Sequence, residues 1–580
     1  MTRQQIPPLS SLDRISNQVI WKGCGYSGGD LSRPVIGIAN AFSDMVPGHT
    51  NLRELARQVK YGIYRAGGVP AEFGVIACCD GLAGGHDGNN YVLPSRDNIA
   101  DSIEIIACAH RLDGLVLLGS CDKIVPGMLM AAVRLDLPCV LVAGGGMLSG
   151  PDCCGQEKPD TTSVSEAMGR VQVGELAEGD VLRLADLCAP TCGSCQFMGT
   201  ANSMCCMAEA MGMSLPGSAL IPAVYNERLR AAFASGERAV QMVREGLTAQ
   251  KILTRKAIEN GIMLMMAVGG SSNTVIHACA LAHELGIDAG EVIDAFDRFS
   301  GEIPLLAKIN PATHQYDAVD LYRAGGVPEV MRRMAAKLHL EQLTVTGRTV
   351  GENLDCAPPP VTPMPDLIRT MDNPHSTLGG LAILRGNLAP DTAVSKPAAI
   401  LPGARRFTGR AICFDSEDAC TAAIEARQVK PGHVVVIRYE GPRGGPGMKE
   451  LYKPMKTLYG QGLAACTALI TDGRFSGTNS GCFVGHISPE AAAGGPIALV
   501  EDGDEITIDV MEKTLTLHVE DGELARRRAN WAYRPKPAGG YLKRYAAMAS
   551  SADRGGVLLA PDETTRERSG TDEGIDRIRH

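Results

Sequence analysis

Aromatic side chains are scarce, at 4% of 580 residues with only two tryptophans. So few rings cannot line a groove with the stacking platforms that single-stranded nucleic acids use. Blocks of Lys and Arg are also missing and the net charge is −9, which argues against nucleic acid as the main partner. Long apolar runs are absent too. The longest, around IMLMMAV at 262–268, falls far short of a membrane span, and the opening MTRQQIPPLSSLDR has no apolar core of signal-peptide length. These absences predict a cytoplasmic protein with neither membrane nor nucleic acid as partner. No P-loop or H-E-x-x-H occurs. GCGYSG at 23–28 has the spacing of a dinucleotide loop, but no helical pattern opens after it and Pro34 follows soon, so the required strand–turn–helix context fails.

What is present is ordinary globular material, 45% hydrophobic and 21% charged, in a chain long enough for more than one domain. Nineteen cysteines do not form a disulfide framework in a cytosolic protein of this size. Most are expected to be buried thiols, with a few reactive or bound to metal. CGSC at 192–195 has the C-x-x-C spacing of a redox dithiol or half a zinc site. No second pair accompanies it to complete a four-thiolate site.

The first third alternates short apolar segments with helical ones. VIGIAN (35–40), GVIACCD (74–80), GLVLLGSCD (114–122) and CVLVAGGG (139–146) read as strands, with helical patterns at 52–68 and 96–112 between them. Such alternation predicts a parallel sheet covered by helices, whose ligands bind beyond the carboxyl ends of the strands. The polar residues after Asn40, at Asp80 and at Cys121–Lys123 all fall there. Residues 200–370 read as helical, most strongly at 263–286, and 376–404 is rich in Gly, Pro and Ala. Strands return at 433–441, 466–473, 505–510 and 514–519. The predicted class is α/β, with an N-terminal α/β domain over 1–375 and a smaller β-rich domain over 385–580.

The segment LVLLGSCDKIVPGMLM (115–130) sets a thiol, a carboxylate and an amine side by side at a strand end. A thiolate suits iron or zinc and a carboxylate suits magnesium, so Cys121 and Asp122 can serve two different metals. Lys123 cannot ligate a cation as an ammonium. It must lose its proton, or take up CO2 and present carbamate oxygens.

In these residues the chain resembles the dihydroxy-acid and sugar-acid dehydratases, iron–sulfur hydro-lyases with an N-terminal α/β domain and a C-terminal β-rich, barrel-like swivelling domain. The resemblance covers nearly the whole length. It is carried by VPGHTNLRELA (46–56), CDGLAGGHDG (79–88), LPSRDNIADSIE (93–104), SCDKIVPGMLMAA (120–132), GSCQFMGTANSM (193–204), GGLAILRGNLAPD (379–391), GPRGGPGMKEL (441–451) and TDGRFSG (471–477). It implies that Cys121 and Cys195 ligate the cluster. Asp80, Asp122 and Glu450 match magnesium ligands, and Lys123 matches the lysine that the family carbamylates to complete the site. Ser476 matches the catalytic base. A homodimer or dimer of dimers is implied as well.

Gly48 stands where many relatives carry a third cluster cysteine, which leaves [2Fe-2S] and [4Fe-4S] both open. Cys24, Cys79 and Cys192 are the candidates for the missing ligand. The resemblance implies dehydration of 2,3-dihydroxy-isovalerate and its methylvalerate homologue to 2-oxo acids, in branched-chain amino acid biosynthesis. A sugar-acid dehydratase is the alternative, and a non-catalytic or redox C-x-x-C protein the remote one.

Overall fold

The computed structural model describes residues 11–475 and 481–564. Four parallel strands open the chain: β1 (Val35–Asn40), β2 (Val69–Gly74), β3 (Gly114–Leu118) and β4 (Cys139–Val142), in the order β2-β1-β3-β4. Between them run the helices Leu52–Arg65, Val92–Ala109 and Ile124–Leu135. Strands β1, β3 and β4 are buried almost throughout, as their unbroken apolar runs require of a sheet covered by helices, while the edge strand β2 is partly exposed. Their side chains head the larger core, which extends through the helices Thr200–Ala210, Arg255–Val268 and Asn273–Glu284.

One strand is displaced from its expected position. Residues 74–80 were expected to be extended and paired, but β2 ends at Gly74, opposite Asn40. Beyond Asn40 there is no further ladder to join, so only Val75 continues the pairing, donating its N–H to the Asn40 carbonyl at 2.9 Å. Residues 76–79 are thereby released into the loop that carries Asp80. The helical run at 263–286 is likewise two helices. Gly269 ends the first in the left-handed region at φ 61, where a side chain would be strained, and the second starts at Asn273.

The second half is built on β5 (Ala382–Gly386), β6 (Ala389–Ser395), β7 (Arg406–Phe414), β8 (His433–Ile437), β9 (Glu450–Leu451), β10 (Ala468–Thr471), β11 (Arg474–Phe475), β12 (Cys482–Ser488), β13 (Glu505–Asp509) and β14 (Thr514–Leu517). Eight of these close a barrel in the order β10-β12-β6-β5-β14-β13-β7-β8, filled by side chains such as Val434, Val436, Ile470, Val484 and Ile508. β9 and β11 stand apart as a two-stranded parallel ribbon. The Gly/Pro/Ala-rich stretch at 376–404, distinguished in sequence only by its composition, contributes β5 and β6. Their few apolar residues suffice because closure leaves no edge to protect. The fold is thus α/β with a β-barrel second half.

Candidate active site

Strand β3 ends at Leu118 and the chain turns through Gly119–Lys123 into the helix from Ile124. His49 fixes this turn. Its Nε2 accepts the backbone N–H groups of Ser120 and Cys121, each at 3.1 Å, while Nδ1 donates to the Ala41 carbonyl at 2.6 Å. This pattern requires the neutral ring, and burial holds His49 down at about 4, so the ring stays neutral at physiological pH. No such role was legible in VPGH.

Lys123 is fully buried and its ammonium faces three carboxylates. Nζ lies 2.5 Å from Asp80 Oδ2, 3.4 Å from Glu450 Oε2 and 3.8 Å from Asp122 Oδ2. Oxygens of the same three acids lie within 4.8 Å of one another, an arrangement able to hold a metal ion. Asp122 is pushed up by burial first and by Asp80 second, with Lys123, Glu450 and the Thr200 hydroxyl as lesser influences. Asp80 Oδ1 is buried and has no hydrogen-bond partner. A buried carboxylate oxygen without a donor is costly, and a hard cation among three carboxylates would satisfy it.

Glu450 comes from the ribbon. Its neighbour in register is Arg474, which is completely buried and donates Nη1 to Glu450 Oε2 at 2.7 Å. Asn273 Nδ2 donates to the same oxygen at 3.0 Å, and Asn89 Oδ1 accepts the Glu450 backbone N–H at 2.7 Å. Asn89 and Asn273 were not singled out in the sequence. The polar break SSN between two apolar helices was the available signal for Asn273; Asn89 had none.

The thiols form the third part. All nineteen cysteines are free. Cys121 is pushed well up, first by burial and then by the charges of Cys79, Asp122, Cys195 and Asp80. Cys195 is raised by burial, Asp122 and Cys79, against a hydrogen bond from Thr161. Amid this negative charge neither thiol ionises alone, whereas a bound metal deprotonates a coordinating thiol outright. Among the described residues no cysteine joins a set of three or more groups converging on a single ion. The structure thus brings Asp80, Asp122, Lys123 and Glu450 together and sets Cys121 one residue from them. Ser476 lies outside the described residues.

A parallel-sheet half and a barrel half that meet at one acidic cluster define a protein of two parts, with Asp80 and Asp122 supplied by the first and Glu450 by the second. Residues 33–353 match the family model described as dihydroxy-acid/6-phosphogluconate dehydratase N-terminal, and residues 366–556 match its C-terminal counterpart. The chain is 46% identical over 550 residues to a dihydroxy-acid dehydratase of Acetivibrio thermocellus, covering 94% of this chain and 98% of that one. It is 48% identical over 545 residues to one of Ignicoccus hospitalis, covering 93% and 97%, and 46% identical over 549 residues to one of Pyrococcus furiosus, covering 94% and 98%. The chain belongs to the dihydroxy-acid/6-phosphogluconate dehydratase family, and it is a hydro-lyase. Among the described residues no helix is long and apolar enough to cross a membrane.

Proposed function

We propose that this enzyme removes water from 2,3-dihydroxy-isovalerate and 2,3-dihydroxy-3-methylvalerate, giving the 2-oxo acids that feed branched-chain amino acid synthesis in the cytoplasm. The observation that carries the proposal is the triad Asp80, Asp122 and Glu450 around the buried Lys123, with a partnerless oxygen on Asp80 and the Cys121 thiol alongside. Such a donor set suits a hard cation beside a soft one. Relatives at 46–48% identity bear the name dihydroxy-acid dehydratase, which favours these substrates over aldonates.

Cys121 and Cys195 would hold the iron–sulfur cluster, and Asp80, Asp122, Glu450 and Lys123 the magnesium ion. When bound, the two centres supply Lewis acidity at the C3 hydroxyl and at the carboxylate and C2 oxygen of the substrate. Lys123 would serve that ion as a carbamate, its amine having lost a proton and gained CO2. Arg474 and Asn273 keep Glu450 aimed at the cluster of acids through the hydrogen bonds above. Ser476, as its alkoxide, takes the proton from C2, and the C3 hydroxyl leaves with that proton as water, which restores the alkoxide. The resulting enol tautomerises to the 2-oxo acid.

The loops at the carboxyl end of the sheet expose Met45, Ile76, Leu82 and Tyr91. Apolar side chains gathered at one end of a fold suit burial against another protein, and we assign this face to a homodimer contact. An anaerobic panel of dihydroxy acids, aldonates and 6-phosphogluconate, with 2-oxo acid detection, tests the substrate assignment. Preference for an aldonate or for 6-phosphogluconate would overturn it.

A further inference from the structure

Cys153 and Cys154 are neighbours in sequence, and their sulfurs lie 3.0 Å apart. Successive side chains of an extended chain point to opposite faces, so a turn has to bring the two together. Cys153 and Gln156 close that turn, each donating its backbone N–H to the other's carbonyl, at 3.0 and 2.9 Å. Within it Cys154 takes the left-handed backbone at φ 54, a region that a residue with a Cβ rarely enters. The sulfur–sulfur contact is closer than those the Cys154 sulfur makes with oxygen, at 3.7 Å to the Asp180 carbonyl and 3.8 Å to Asp180 Oδ1, although oxygen is the smaller atom. The turn holds two thiols side by side.

The pair sits where a small reagent reaches it and where a change in it is felt. Cys154 is partly exposed, whereas Cys153 closes a small core with Ala167, Leu184 and Cys188. Asp180, which receives the Cys154 thiol hydrogen, lies in the first turn of the helix Glu178–Leu187. That helix leads into Cys188, whose carbonyl accepts Gln196 Nε2 at 2.7 Å. None of these residues belongs to the acidic cluster, so the site stands apart from the chemistry proposed above.

We infer that Cys153 and Cys154 form a redox site, a dithiol that a peroxide converts to a disulfide between neighbours and that a small dithiol restores. One thiolate attacks hydrogen peroxide, the O–O bond breaks, and a sulfenic acid and water are formed. The second sulfur attacks the first, the S–O bond breaks, and another water leaves with the remaining thiol proton. Each sulfur loses one electron and the peroxide gains both, so two thiols and one peroxide give one disulfide and two waters. Adjacent Cα atoms are about 3.8 Å apart, short of the about 4.4 Å at which disulfide spacings begin. A bridge strained in this way is readily reduced, and transient bridges are the kind that reducing compartments allow. Oxidation also removes the hydrogen that Cys154 gives to Asp180 and so unties the start of the helix.

The test uses full-length protein exposed to a small excess of hydrogen peroxide. Free thiols are blocked with one alkylating reagent in denaturant, and disulfides are then reduced and labelled with a second before proteolysis. The peptide carrying Cys153 and Cys154 is expected to take up two of the second label and, before reduction, to be lighter by two hydrogens. Dithiothreitol added after the peroxide should return both residues to the first label. Free thiols at both positions after peroxide, a bridge from either one to Cys188, or a sulfinic acid that dithiothreitol does not reverse would overturn the inference. Hydrogen exchange reads the consequence. Amides at the start of the helix Glu178–Leu187 should exchange roughly two- to tenfold faster after oxidation, the scale of one hydrogen bond. Unchanged exchange in bridged protein would overturn the tie to the helix. Cys154→Ser should abolish both the bridge and the change in exchange, and the mapping of wild type decides the matter if that variant does not fold.

Discussion

Asp80 and Glu450 face the same ammonium, yet their surroundings differ. Glu450 is clamped, with Oε2 receiving Asn273, Arg474 and Lys123 and its backbone N–H held by Asn89. Asp80 opens the short helix Asp80–Ala83, bonded through one oxygen to Lys123 and through the other to nothing. The barrel half thus delivers a carboxylate already fixed by its neighbours, while the sheet half keeps lone pairs available. A cation entering the cluster gains most from the sheet side and finds on the barrel side a ligand that need not move. Preorganisation and capacity are divided between the two halves.

The largest effect expected on the sheet side is from its thiols. Cys121→Ser and Cys195→Ser should each abolish visible absorbance and activity, measured anaerobically, and full iron content in either would remove that side's claim to the cluster. On the barrel side, Ser476→Ala should retain cluster and magnesium but lose at least about a hundredfold in kcat, the lower end for a general base. Near wild-type turnover would assign the proton to another residue. Lys123→Ala should cut activity sharply and leave the cluster spectrum intact.

The division itself is tested by magnesium titration. Asp80→Asn is expected to weaken binding by about a hundredfold and Arg474→Met, which only loosens Glu450, by about tenfold, the range seen when ligands lose support. Equal losses would mean that capacity is not confined to the sheet side. The smallest effect concerns the barrel's own framework. Buried Glu490 accepts the backbone N–H groups of Arg443 and Gly444, and burial, then Asp472, push it up to about 7. The folded state therefore holds a proton that the unfolded state has released. Its contribution to stability is present below about 4.5 and lost as pH rises through about 7, on the order of 3 kcal/mol in all. Glu490→Gln should flatten this part of the melting-temperature profile, and an unchanged profile would exclude Glu490 as its source.

Much of this was legible in sequence because the signals were local. β1, β3, β4 and the strands at 433, 468, 505 and 514 are short apolar runs bounded by turn residues, and the Cys-Asp-Lys triplet sits where a parallel sheet presents its ligands. What failed was non-local. β2 ends where it does because β1 runs out at Asn40, and β5 and β6 are strands because the barrel closes over them. His49, Asn89 and Asn273 are ordinary polar residues whose importance lies in partners 72, 361 and 177 positions away. No window along the chain could have joined them.

Glu450 also sets an order of events during synthesis. Lys123 and Glu450 are 327 positions apart, whereas Cys121 and Cys195 both precede the barrel. The thiols leave the ribosome long before the carboxylate that completes the acidic cluster exists. A nascent or truncated chain can therefore present its soft ligands while its hard-cation site is still missing an oxygen donor. In the order of the chain, the residues proposed to hold the cluster come first and the acidic cluster is completed only within the last third.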